Sequence, residues 1–288
     1  MITTFLNNTD QLPLTCSRKG TCCHGNTLFL NPWEIAQLAN EKKITTEKFI
    51  EEFTEDGGIR LKFKGKQDDR GKSACNLYID NFGCSVHVAR PLACRLFPIG
   101  RQIQNEAIQY IYQGEKFPCL NGCPEVLELP KLSVESYLKG QETELFEQAQ
   151  DYYLDVVQNL ADIAFTLLLD TPLAASGDRE TLQQWRIMGE ETPDFLLNRI
   201  DHEWRTLLLT PELKVDQKDP FIFTQSHNEM LQTKAQIEFK VLSKMEEFKK
   251  ASINIMAITL YLSSAIGANP KALSEHWIEI ARENGAFE

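Results

Sequence analysis

Cys16-Ser-Arg-Lys-Gly-Thr-Cys22-Cys23-His24 is the stretch on which the reading of this chain turns. It is the first of three groups of thiols. The second is Cys75, Cys84 and Cys94, the last of them inside Arg90-Pro-Leu-Ala-Cys-Arg-Leu-Phe-Pro98, and the third is Cys119 with Cys123. All eight cysteines of the 288 residues fall before residue 124. Cysteine used as a small core hydrophobe would scatter along the chain. Clustering of this kind points to a disulfide framework or a metal site.

Compartment separates those two. The stretch Met1–Asp10 has no basic segment followed by an apolar one, so it does not read as a secretory signal. No apolar run reaches the roughly 18–20 residues of a membrane helix; residues 251–268 come nearest, and polar residues interrupt them. These features predict a cytoplasmic protein with no membrane association, where thiols stay reduced and cysteine sets bind metal. A chain of this length also buries a core without disulfide staples.

The net charge of −11 is unevenly spread. Residues 1–140 carry 17 Lys and Arg against 16 Asp and Glu, and residues 141–288 carry 13 against 25. So acidic a second half argues against nucleic acid and anionic membranes and leaves another protein as the expected partner.

The elements follow from local pattern. Asn31-Pro32-Trp33-Glu34 combines a cap, a first-turn proline and an acid three residues after the cap, which predicts a helix over 32–40. A second helix is expected over 46–55, ended by Gly57-Gly58. Ile59–Lys64 alternates strictly and predicts a half-buried strand with Arg60, Lys62 and Lys64 outward. Leu77–Ile79 reads as a short strand, and Ile99–Ile103 with Ala107–Tyr112 as a hairpin turning at Gln104-Asn-Glu106. From Ser133 the pattern becomes helical. Residues 142–169 carry one apolar stripe, Asp178 is a candidate cap for a helix holding Leu182, Trp185 and Ile187, and another helix is expected from Thr192-Pro193 to Thr210-Pro211. Residues 211–225 read as a loop, 226–265 as a single long helix, and Asn269-Pro270 to Asn284-Gly285 as the last helix. Trp185, Trp204 and Trp277 are expected in the core. His202, His227 and His276 are isolated and read as surface or capping residues.

Eight thiols fit few functions. Structural zinc usually takes two tight Cys-x-x-Cys turns, and here only Cys119-x3-Cys123 comes near. The other intervals are irregular, which favours a larger object, an iron–sulfur cluster of the 4Fe–4S type, over zinc. Neighbouring Cys22 and Cys23 do not readily face one corner, so one of them ligates while the other serves a second metal or packs. His24 and His87 are candidate nitrogen ligands or hydrogen-bonding neighbours of the thiols. Arg90 and Arg95 flank Cys94 and are candidates for balancing thiolate charge or gripping a cofactor's carboxylate or phosphate. No local signature marks a cysteine nucleophile with its base. The second half shows no phosphate loop, dinucleotide fingerprint or His-Glu-x-x-His.

These residues carry a resemblance. Cys16-x5-Cys22-Cys23, then Cys75, then Gly83-Cys84-Ser-Val-His87, then Arg90-Pro-x-x-Cys94-Arg95-x-Phe-Pro98 resemble the YkgJ-type cysteine-cluster proteins, a family described as zinc- or iron-chelating. The likeness spans roughly residues 12–125, and Cys119 and Cys123 resemble its late cysteines. The family's opening pattern is Cys-x-x-Cys-x-x-Cys-Cys, and Lys19 stands at its second cysteine. Flagellin lysine-N-methylases carry a related cluster, linked to an iron–sulfur centre and S-adenosylmethionine.

The reading is therefore an α+β protein. Residues 1–130 are expected to form a cysteine-cluster metal-binding domain with a small antiparallel sheet and short helices, and residues 131–288 an acidic helical domain. The expected function is an iron–sulfur cluster held by Cys16, Cys22, Cys23, Cys75, Cys84, Cys94, Cys119 and Cys123, for electron transfer, redox sensing or cluster handling. The alternatives are a zinc-stabilised protein-interaction module and, by the resemblance, a cluster-dependent protein lysine methyltransferase.

Overall fold

The computed structural model describes residues 2–286 except 105–106, 172–177, 212 and 214. The chain forms two compact units, residues 1–28 with 61–147, and residues 29–60 with 148–288. Small antiparallel sheets occupy the N-terminal part and helices most of the remainder.

In the first unit, Ala107–Gln113 is the central strand of a three-stranded antiparallel sheet, between Thr3–Leu6 and Gly100–Gln104. Ile111 lies opposite Phe5 on one side and Gly100 on the other. The expected hairpin forms, with its turn at 105–106 outside the described residues. Gln11–Leu12 pairs with Leu132–Ser133, and Tyr78–Ile79 with Gly83–Cys84. Ser133 takes the amide of Ser136 and starts the helix Val134–Gln141. Leu14, Ile99, Phe117, Val134 and Tyr137 make a small core beside these strands.

The expected strand over Ile59–Lys64 forms only at Arg60–Leu61. Arg60 does not project as a free cation; it pairs with Glu55 and Asp56. Beyond Leu61 the backbone runs irregularly beside residues 74–76. Asn76 N–H donates to the Lys62 carbonyl at 2.9 Å, the Asn76 side chain accepts from the Lys64 amide at 2.9 Å, and Gly65 N–H donates to Ala74 at 2.9 Å. An asparagine side chain inserted into the ladder accounts for the short strand, and it holds Cys75 in place.

The second unit is helical. Asn31 and Glu34 exchange side-chain-to-amide bonds at 2.9 and 3.1 Å, the capping box read in the sequence, and open Pro32–Lys42. Thr46–Phe53 follows, and Gly57 and Gly58 adopt φ of 68° and 92°, which favour glycine. Segment 29–60 belongs to this unit because Trp33 donates its indole N–H to the Gln217 carbonyl at 2.9 Å and Tyr261 donates its hydroxyl to the Gly57 carbonyl.

The centre of this unit is Met245–Ala265, buried continuously from Asn254 to Ala265 and packed against Asp178–Gly189, Pro193–Arg199 and Pro270–Glu283. A helix apolar on all sides is a core helix. The hydroxyls of Thr259, Ser263 and Ser264 donate to carbonyls four residues back, which satisfies them in the interior. Trp185, Trp204 and Trp277 are buried as expected. Among the described residues, no helix is long and apolar enough to cross a membrane.

Three helix expectations are corrected. The helix expected over 192–211 is two, Pro193–Arg199 and His202–Leu209. The Asn254 side chain takes the Asp201 amide at 3.1 Å, and Arg205 takes the carbonyls of Ile200 and Asn198, so the break is paid with side-chain bonds. The helix expected over 226–265 is also two, Pro220–Phe239 and Met245–Ala265; Glu247 accepts the Ser243 and Lys244 amides at 2.9 and 3.0 Å and starts the second. The loop expected over 211–225 ends early, because Asp219 caps a helix beginning at Pro220. Asp178 begins its helix, but its side chain lies outside the described residues.

His227 is corrected as well. It is fully buried, with Nδ1 2.9 Å from the Tyr153 hydroxyl and Nε2 2.9 Å from the Leu207 carbonyl. A carbonyl only accepts, so Nε2 carries the proton and Tyr153 donates to Nδ1. Burial pulls its pKa down to about 4. His202 and His276 are exposed.

Candidate metal centre

The thiols of the first unit are brought together by short, separately specified turns. Gly20, at φ 73°, leads into the single turn Thr21–Cys23, where the Cys23 amide donates to the Gly20 carbonyl at 2.9 Å. The Cys23 carbonyl accepts from the Cys75 amide at 2.8 Å, fastening the first thiol group to the second. Cys75 turns directly into the Tyr78–Ile79 strand, and Cys84 lies opposite Tyr78 in that hairpin. Pro91 opens the helix Leu92–Leu96, which carries Cys94.

Cys16, Cys22, Cys23, Cys75, Cys84 and Cys94 thereby line one cavity of about 560 Å³, together with Arg18, His87, Arg90 and an apolar wall that includes Phe63, Tyr78, Phe82 and Phe97. Cys119 and Cys123 are not part of that lining. They sit on the turn Pro118–Asn121 and just after it, behind the opening loop. The Thr21 hydroxyl lies 2.7 Å from the Cys123 sulfur, and Lys19 Nζ lies 2.9 Å from Glu125 Oε2. All eight cysteines are free thiols. Among the described residues, no three Cys, His, Asp or Glu side chains stand close enough to hold one metal ion.

The two arginines divide. Arg90 reaches the cavity, with Nε on the His87 carbonyl at 3.1 Å and Nη2 on the Gln141 side chain at 3.1 Å. Arg95 is 3% exposed and is not in the lining. Its guanidinium donates to the carbonyls of Arg90, Gln141 and Val88 and lies 3.9 Å from the Phe146 ring centre. The cofactor-gripping role considered for Arg95 gives way to a fastening of backbone.

His24 donates Nδ1–H to the Gly20 carbonyl at 3.0 Å and meets Tyr78 edge-on at 5.1 Å, so it braces the turn. His87 faces the cavity. Desolvation, followed by the charges of Arg90, Arg95 and Arg18, lowers its pKa and favours the neutral imidazole that a metal requires.

The electrostatics favour one anion among many neutral thiols. Cys23 hydrogen-bonds to Cys22, and this bond, with support from Arg90 and Arg70, lowers Cys22 to about 7. Cys23 is pushed up in turn, since the pair shares one proton. Burial raises Cys75 to about 11 and also raises Cys84 and Cys94. Burial and then Cys123 push Cys119 up to about 12.

Residues 15–113 match the family model CxxCxxCC, described as a "putative zinc- or iron-chelating domain". This segment, about a third of the chain, is similar to that domain. The family description supports metal binding, and the donors fit it, with six thiols and a neutral imidazole on one cavity wall. The match ends at residue 113, so Cys119 and Cys123 lie beyond it. Its naming pattern has a cysteine where this chain has Lys19. No curated protein matches the chain, and no solved structure does.

Arg18, Arg70 and Glu125 were not singled out in the sequence. The signal for Glu125 is its place two residues after Cys123, opposite the lysine at a cysteine position. Nothing in the local pattern of Arg70 indicates that it donates to the Thr21 carbonyl at 3.0 Å.

Proposed function

We propose that this segment holds an iron–sulfur cluster of the 4Fe–4S type in the thiol-lined cavity, for electron transfer, redox sensing or cluster handling. The observation that carries this reading is the gathering of thiols: six of them share one cavity of about 560 Å³. Their irregular intervals in the sequence suit a cluster held by four thiolates better than the paired tight turns of structural zinc. Such a cluster, when bound, supplies one-electron chemistry. The chain's own residues offer thiols, an apolar wall and the positive charge of Arg90, which with the Cys23 hydrogen bond lowers Cys22.

A protein partner fits the same face. Phe82, which lines the cavity, is 74% exposed, and Val88, next to His87, is 73% exposed. Large apolar side chains left open beside a redox site suit a docking rim.

Elemental analysis of protein purified without oxygen, with a visible spectrum, tests the proposal. Iron and sulfide with broad visible absorption support it. Zinc alone, without colour, replaces it with the zinc-stabilised interaction module, and absence of both metals overturns it.

A further inference from the structure

The cavity that gathers the thiols has a second kind of wall. Its volume of about 560 Å³ falls within the range of sites that enclose small organic molecules, roughly 300–1,000 Å³. Leu61, Cys75, Leu77 and Val86 are buried and form its floor, whereas Arg18, Phe82 and His87 are exposed and mark its mouth. Phe63, Tyr78, Phe82 and Phe97 give the wall four aromatic rings, and the Phe82 ring is left largely uncovered.

Among the described residues, no Asp or Glu lines this cavity. Two guanidiniums do, and neither meets a carboxylate of the chain. Arg90 is fixed by neutral acceptors, the His87 carbonyl and the Gln141 side chain, so it is positioned while its charge has no counter-ion. Arg18 stands between Cys16 and Cys22 at φ 60°, a left-handed backbone of the kind that clusters at ligand sites. A metal or a small inorganic anion has no use for aromatic rings. An occupant that uses both the guanidiniums and the rings has an anionic head and an apolar body.

We infer that the cavity takes a small apolar organic acid, its carboxylate held by Arg18 and Arg90 and its body packed against the aromatic wall beside Phe82. The inference rests on the proposed function in taking the thiol-lined cavity as the working site, and it adds the class of molecule that enters there. The planar fork of arginine matches a carboxylate with two parallel hydrogen bonds. An aromatic body adds ring-to-ring contact that an inorganic ion cannot supply.

Phenylacetate and its uncharged isostere phenylacetamide are the probes, titrated by calorimetry into the full chain purified without oxygen, with metal content measured on the same sample. Phenylacetate is expected to bind at least about tenfold more tightly than the amide. Arg18→Gln and Arg90→Gln are each expected to weaken phenylacetate about tenfold and to leave the amide unchanged. Phe82→Ala is expected to weaken both probes about fivefold. Arg186→Gln, which removes the same charge from the helical unit, is expected to change neither. Equal binding of acid and amide overturns the inference, as does absence of phenylacetate binding at about 10 mM. Full affinity in both cavity arginine variants also overturns it, and so does an equal loss in Arg186→Gln, which leaves only net charge at work. The comparison of acid with amide needs no variant, so it holds even where a variant fails to fold. Metal content separates the two readings. Phenylacetate bound through Arg18 and Arg90 by protein without iron and sulfide keeps this inference and removes the cluster, and iron and sulfide without phenylacetate binding do the reverse.

Discussion

Lys19 Nζ lies 2.9 Å from Glu125 Oε2, so the residue at a cysteine position of the domain's naming pattern is engaged by a carboxylate from 106 residues away. Lys19 is also outside the cavity lining. Lys19→Cys is therefore expected to leave the iron content of the cavity unchanged, as read by elemental analysis. A rise in iron together with stronger visible absorption would place position 19 at the cavity.

Arg95 and Arg90 are predicted to separate stability from thiol chemistry. Arg95→Met removes donors to three carbonyls in a buried setting and is expected to destabilise the fold by roughly 2–4 kcal/mol in denaturant titration. Arg90→Gln removes a cation that helps lower Cys22. The expected result is a native-like melt with slower alkylation of Cys22 at pH 7. Unchanged alkylation would assign the low pKa of Cys22 to Cys23, the backbone and Arg70.

Metal uptake at the cavity is predicted to depend steeply on pH. Cys23, Cys75, Cys84 and Cys94 all lie above the ordinary thiol value, so near neutral pH each enters a metal site by releasing a proton. The logarithm of affinity should then rise by about four per pH unit between pH 6.5 and 8.5, as measured by competition with a chelator. A slope near one would mean that most of these thiols are already ionised.

Buried His227 sets a second pH dependence, in the helical unit. Its pKa is about 4 when folded and about 6.5 when unfolded, so between those values the unfolded chain binds the extra proton. The stabilisation is complete above about pH 6.5 and is lost as pH falls toward 4, about 3 kcal/mol in all. Denaturant midpoints measured across that range should fall with pH in the wild type and fall less in His227→Gln. A flat wild-type profile would contradict the buried neutral imidazole.

What the sequence revealed follows the range of the forces involved. The Asn31–Glu34 box and the hairpin around residue 105 were legible because their partners are near neighbours. The breaks at 200–201 and 240–244 were not, since residues there continue the helical pattern and the interruption depends on Asn254 and Glu247. His227 was misread for the same reason, as Tyr153 is 74 positions away. At the site, the thiols could be recognised as a set from composition alone. Their separation into cavity and back was hidden, because Thr21 and Cys123 meet only in the folded chain.

Gly20 approaches Tyr78 so closely that a methyl group there would lie 2.8 Å from the phenol ring, and its backbone is left-handed. A smaller residue at 78 relieves the clash but not the backbone strain. Sequence drift at these two positions is thus locked in one order: position 78 can shrink while glycine remains, and glycine cannot be replaced first. The thiol turn is guarded by a residue that carries no chemistry of its own.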